Sequence, residues 1–78
     1  MEPIDILVRF NAEGKINPVN FTWKGVNYTV ESTGRNWTDE RGFHILAMVP
    51  GGRVFELFFI TAEARWYLEP VGPGRTMV

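Results

Sequence analysis

Residues 21–37, FTWKGVNYTVESTGRNW, hold two of the chain's three tryptophans, and their first ten positions decide the fold class. Phe21 and Trp23 alternate with Thr22 and Lys24, while Val26, Tyr28 and Val30 alternate with Asn27, Thr29 and Glu31. A period of two along both runs marks strands with one buried face. Lys24-Gly25 between them is a short turn, so the runs read as a hairpin with Phe21, Trp23, Tyr28 and Val30 on its apolar face. Trp23 and Tyr28 flank the turn and suit cross-strand packing. Trp37 stands outside the alternation, in a polar segment at 33–42 that reads as a loop. There it is either a lid on one end of the fold or an exposed anchor.

The same alternation extends both ways. Ile4, Ile6, Val8 and Phe10 alternate with Asp5, Leu7 and Arg9 in a first strand. Asn11-Ala12-Glu13-Gly14 then makes a turn, with Gly14 suited to a positive φ. Pro18, close to the start of the second strand at 19–24, indicates that this end is not fully paired. Beyond the polar segment, 43–49 and 54–60 read as strands joined by Pro50-Gly51-Gly52-Arg53, the strongest turn signal in the chain. Residues 61–64 form a short loop and 65–71 a last strand. Short connections imply sequential antiparallel pairing, because parallel neighbours need crossovers of about a dozen residues. The expectation is an all-β antiparallel meander of about six strands, closed as a small barrel or a strongly bent sheet over 1–71. Residues 72–78 are expected to be a flexible tail.

Composition narrows the function. A chain of 78 residues is one domain, and its 45% hydrophobic and 14% aromatic content is that of a folded one. With no cysteine and a single histidine, His44, it offers neither disulfides nor a Cys-based zinc site, and no cofactor is expected. The net charge is −1, with eight basic residues scattered among nine acidic ones. A dedicated nucleic-acid binder carries a basic excess, so this balance weighs against that class. No signal peptide or membrane span is visible, and the expected compartment is the cytoplasm.

The strands at 43–49 and 54–60 are apolar on both faces. Phe43, Ile45, Ala47 and Val49 oppose His44, Leu46 and Met48; Phe55, Leu57 and Phe59 oppose Val54, Glu56, Phe58 and Ile60. One face belongs to the core, and the other is covered by the tail or the 33–42 segment, joins a protein partner, or lines a small-ligand pocket. The partner reading makes Leu46, Met48, Phe58 and Ile60 candidate interface residues, most simply of a two-fold homodimer. For a ligand or a single-stranded nucleic acid, the candidate contacts are Trp37, Arg35 and Arg41, an aromatic with nearby cations.

Catalytic signals are weak. A Ser32/His44/Asp39 triad can be written, but no spacing favours it, and Asp39-Glu40 are neighbours in a charged segment. Gly51-Gly52 is followed by neither Lys-Ser/Thr nor a helix, so it is turn chemistry and not a phosphate loop. Three Asn-x-Thr matches at Asn20, Asn27 and Asn36 are chance matches in this context.

The series Phe21-x-Trp23-x-Gly25-x-x-Tyr28-x-Val30, then Trp37, then Val54-Phe55-Glu56-Leu57, then Trp66-Tyr67-Leu68-Glu69 resembles a family of small bacterial all-β proteins of unknown function. The likeness covers roughly residues 5–71 and rests on core aromatics and turns. It implies the meander and supplies no catalytic residue. Some relatives are associated with DNA-repair polymerases, though this chain lacks their Arg-rich character. The expected function is that of a non-enzymatic protein-binding or self-associating module, with single-stranded nucleic-acid or repair-accessory binding as the runner-up.

Overall fold

The computed structural model describes residues 1–71. The chain is all-β and antiparallel, with β1 (Glu2–Pro3), β2 (Asp5–Phe10), β3 (Ile16–Trp23), β4 (Val26–Thr29), β5 (Ser32–Thr38), β6 (Gly42–Val49), β7 (Arg53–Ile60) and β8 (Arg65–Pro70). These form a five-stranded sheet, β1-β8-β7-β6-β5, and a three-stranded sheet, β2-β3-β4. The expected all-β antiparallel architecture is therefore present, but as eight strands in two sheets rather than about six in one barrel or bent sheet, and the expected sequential pairing breaks between β4 and β5. The tail at 72–78 lies outside the described residues.

Two corners account for the higher count. At Ile4 the first strand changes sheets: its N–H donates to the Trp66 carbonyl (3.1 Å), leaving β1 on β8 and β2 on β3. At the second corner, Val30 N–H donates to Val19 O (2.9 Å) and Glu31 N–H to Met48 O (2.7 Å), carrying the chain from β4 to β5. The remaining difference is β5 itself. Most of the polar segment expected as a loop is a strand paired with β6. It lies at a sheet edge, and six of its seven residues are exposed, so no apolar alternation advertises it.

The core lies between the sheets. Phe21 from β3, Ile45, Ala47 and Val49 from β6, Phe55 and Leu57 from β7, and Leu68 from β8 are all buried. Across the β3–β4 ladder Phe21 faces Tyr28, and their rings stack at 5.4 Å. Phe21, Trp23 and Tyr28 each place a ring centroid 5.4 Å from that of Phe55 on the opposite sheet. Trp23 and Tyr28 are thus core residues, as their alternation indicates. Their polar tips remain satisfied: Trp23 Nε1 donates to Glu2 (3.2 Å), and Tyr28 Oη accepts from Arg53 (3.4 Å). The outer side of the small sheet is polar, with Asn27 Nδ2 donating to Thr22 Oγ1 (3.2 Å) and Asn20 Oδ1 (3.4 Å).

Turns meet their backbone demands. Lys24 and Gly25 have φ of 52° and 78°, the left-handed pair that matches a two-residue hairpin to strand twist. Ala64, closing the β7–β8 turn at φ 55°, lacks this freedom, and its Cβ is strained there.

Truncation of Phe55 to alanine removes the ring on which three aromatics of the small sheet rest, and urea midpoints should report a loss of about 3–5 kcal/mol. Ala64→Gly relieves the left-handed strain, so its unfolding free energy in urea should rise by up to about 1 kcal/mol. A neutral Phe55→Ala would show that the sheets are held together elsewhere.

Candidate functional site

The outer face of the five-stranded sheet carries the most organised polar chemistry among the described residues, and a register shift creates it. On β5, Thr33 lies opposite Ala47, yet Asn36 lies opposite Ile45, so one extra residue is accommodated between them. Ala47 and Ile45 face the core, which places Thr33 and Asn36 on the inner side. Strict alternation from Thr33 would also turn Trp37 inward. The bulge reverses the phase, and Trp37 lands opposite His44 on the outer side. Gly34 permits this bulge to lie close to β6, since a Cβ there would stand 3.3 Å from Met48 Cε and 3.8 Å from Leu46 Cβ.

Ladder pairing then sets a row across four strands: Trp37, His44, Phe58 and Tyr67. His44 is sandwiched, stacked at 4.8 Å on Trp37 and at 3.9 Å on Phe58, with interplanar angles of 4° and 11°. The Arg35 guanidinium lies 4.8 Å over Trp37, and that of Arg41 lies 5.0 Å over Phe58. Both ring nitrogens of His44 meet carboxylates: Nδ1 lies 2.7 Å from Glu56 and Nε2 lies 2.9 Å from Asp39. Only the protonated ring donates from both nitrogens at once, because a neutral imidazole carries one N–H. His44 is buried, and these contacts leave it no unsatisfied polar atom.

Asp39 is placed by the β5–β6 turn. Its Oδ1 accepts from the N–H groups of Arg41 (2.9 Å) and Gly42 (3.1 Å), and its own N–H donates to Gly42 O (2.9 Å). The Arg41 N–H, then the His44 ring and the Gly42 N–H, hold the Asp39 carboxyl below its ordinary 3.8, against the opposing effect of partial desolvation. Gly42 is required here, since a Cβ would stand 1.8 Å from the Phe59 carbonyl oxygen on β7. At the far end of the row, the Tyr67 hydroxyl donates to Glu63, which raises Tyr67 above its ordinary 10.0.

The structure gathers the candidate ligand contacts Trp37, Arg35 and Arg41 into this one cluster, with Trp37 on a strand and half-buried rather than in a loop. The interface candidates divide. Leu46, Met48 and Ile60 are half-buried on the same outer face. Phe58 is 2% exposed, so it is a covered residue and cannot itself be a free contact surface. Its cover is Arg41 together with the stacked His44, as one of the sequence readings allowed for the 33–42 segment. The written triad separates: Asp39 meets His44, but Ser32 lies opposite Met48, four residues along β6 from His44 and so about 13 Å away. Sequence reasoning missed Glu56 and the role of His44. The Pro50–Arg53 turn register already pairs His44 with Phe58, but the Trp37 partner needed the bulge.

Two substitutions test the construction. Gly42→Ala forces β6 from β7 and should lose several kcal/mol in urea unfolding. For Asp39 the sign follows from its lowered value: its charge stabilises the fold above the unfolded carboxyl range, and that stability is lost as pH falls through the folded value. Asp39→Asn should therefore be less stable than the parent near about pH 6, with the difference shrinking toward about pH 2. A difference constant over that range would sink this assignment. Comparison of the chain with protein-family models, with curated proteins and with solved structures finds no match, so a functional reading starts from this geometry.

Proposed function

We propose that the chain is a non-enzymatic binding module that associates with a protein partner, in the simplest case a second copy, through the outer face of β5, β6 and β7. The observation that carries this reading is the half-buried Trp37, held in place by the stack on His44 and Phe58 and flanked by Arg35 and Arg41. Tryptophan and arginine dominate the energetics of protein interfaces, and side chains already held in place lose little entropy on binding. Here aromatic stacking and two carboxylates hold the group before any partner arrives. Leu46, Met48 and Ile60 lie on the same face and supply half-exposed apolar surface around it. A two-fold contact of this face with itself would be self-complementary, with Asp39 and Glu56 of one copy available to the arginines of the other.

A second reading has one observation in its favour. Arg35, Trp37 and Arg41 form a single cationic and aromatic cluster, as a platform for single-stranded nucleic acid does. Against it, Trp37 is already covered by His44 and Arg35, and Asp39 and Glu56 place negative charge in the same cluster. The cytoplasm remains the proposed compartment, on the lack of cysteine.

Light scattering at about 100 µM, a concentration that populates dimers of micromolar affinity, should give twice the monomer mass. Leu46→Glu and Met48→Glu should return the monomer with the fold intact. Phe58→Glu is unsuitable, because Phe58 is buried and its replacement would unfold the chain. A monomeric parent would remove self-association. Quenching of tryptophan fluorescence by an oligonucleotide at low salt, abolished by Arg35→Ala, would favour the second reading instead.

A further inference from the structure

A second site is built where the two sheets part company. β3 pairs with β2 along its length, but with β4 only from Asn20 to Trp23, and the Val19 carbonyl takes the Val30 N–H. On the β4 side, residues 16–18 therefore have no strand partner among the described residues. After β4 the chain leaves β3 at the Val30 corner, and β5 pairs only with β6, so its other edge is also unpaired among the described residues. Between these two edges lies a cleft of about 390 Å³. Its floor is apolar, with Ile16, Phe43 and the buried Ile45, and its walls carry Asn17, Thr33 and Asn36. Lys15 stands exposed at its rim, without an ion-pair partner among the described residues.

We propose that this cleft is a docking slot for an extended peptide segment of another protein, which enters as an added strand. The site is distinct from the outer face and does not depend on it. Strand edges with free N–H and C=O groups are templates for further pairing, and strand addition draws affinity from those groups and specificity from alternate side chains. A small organic ligand would fill the apolar floor and leave the β5 edge unanswered. A peptide paired along β5 answers it, with one apolar side chain over Phe43 and Ile45 and its neighbours turned away. Pro18 has no N–H to offer on β3, so pairing runs chiefly along β5, where the stretch from Thr33 to Asn36 measures about 10 Å and suits a segment of four or five residues. Lys15 is the cation lining the cleft, so the favoured segment carries a carboxylate at the end that reaches it.

The probe is the pentapeptide acetyl-Thr-Val-Thr-Val-Glu with a free C-terminus, titrated into the ¹⁵N-labelled chain. Amide shifts and slowed hydrogen exchange are expected at 15–17, 33–36 and 43–45. A version N-methylated at alternate residues, unable to pair along one edge, should bind at least tenfold more weakly. Lys15→Glu should weaken the free-acid peptide about tenfold, the scale of one charge-assisted hydrogen bond, and affect the amidated peptide less. Thr33→Trp should fill the slot and abolish the shifts while the remaining spectrum stays native. No shift at about 2 mM peptide, equal binding of the N-methylated version, or shifts confined to β2 or the Trp37 face would overturn the proposal. So would the same shifts appearing with protein concentration alone, which would make a second copy the occupant.

Discussion

The two sheets of this chain are held together by the convergence of Phe21, Trp23 and Tyr28 on Phe55. A domain of this size buries only about 60–65% of its unfolded surface, so a few large side chains must supply much of the driving force. Three rings from one sheet meeting a single ring of the other concentrate that burial where the layers need joining. Arg53 lies 4.8 Å over Phe55 and hydrogen-bonds Tyr28, sealing the cluster against water. The hairpin of β3 and β4 cannot slide against β7 without exposing it. Register on both sheets therefore depends on this contact.

With the inner faces committed to the core, the outer face of β6 and β7 still carries His44, Leu46, Met48 and Phe58. The chain resolves this by covering Phe58 with charged and aromatic groups instead of leaving it bare. Arg41, Asp39 and Trp37 all come from the β5–β6 hairpin, so one turn supplies most of the cover. Glu56 completes it from β7. A buried histidine with both nitrogens engaged is costly to leave half-satisfied, which makes the arrangement all-or-none. The same rigidity is what an interface anchor requires.

Legibility followed the burial pattern. The β3–β4 hairpin was readable because alternation and Lys24-Gly25 agree, and β6 and β7 because their inner residues are uniformly apolar. β5 was not, because Ser-Thr-Gly-Arg-Asn-Trp-Thr lies at an edge and carries no such signal. Pro18 was informative: it pairs with Val8 on one side and has no strand partner on the other among the described residues. Of the site, Arg35, Trp37 and Arg41 were legible as an aromatic with nearby cations. Glu56 and Phe58 joined them only through cross-strand neighbours, which a linear pattern does not show.

By itself, the sequence determined the strands that bury a face, the turns between them and the aromatic core, because these follow from local periodicity and backbone freedom. Tertiary structure alone decided that the meander divides into two sheets, since that depends on hydrogen bonds at Ile4, Val30 and Glu31 between residues far apart in the chain. It also decided the side on which Trp37 lies. In a strand each single-residue slip reverses the faces, and the one-residue bulge opposite β6 turns that ring from the core to His44.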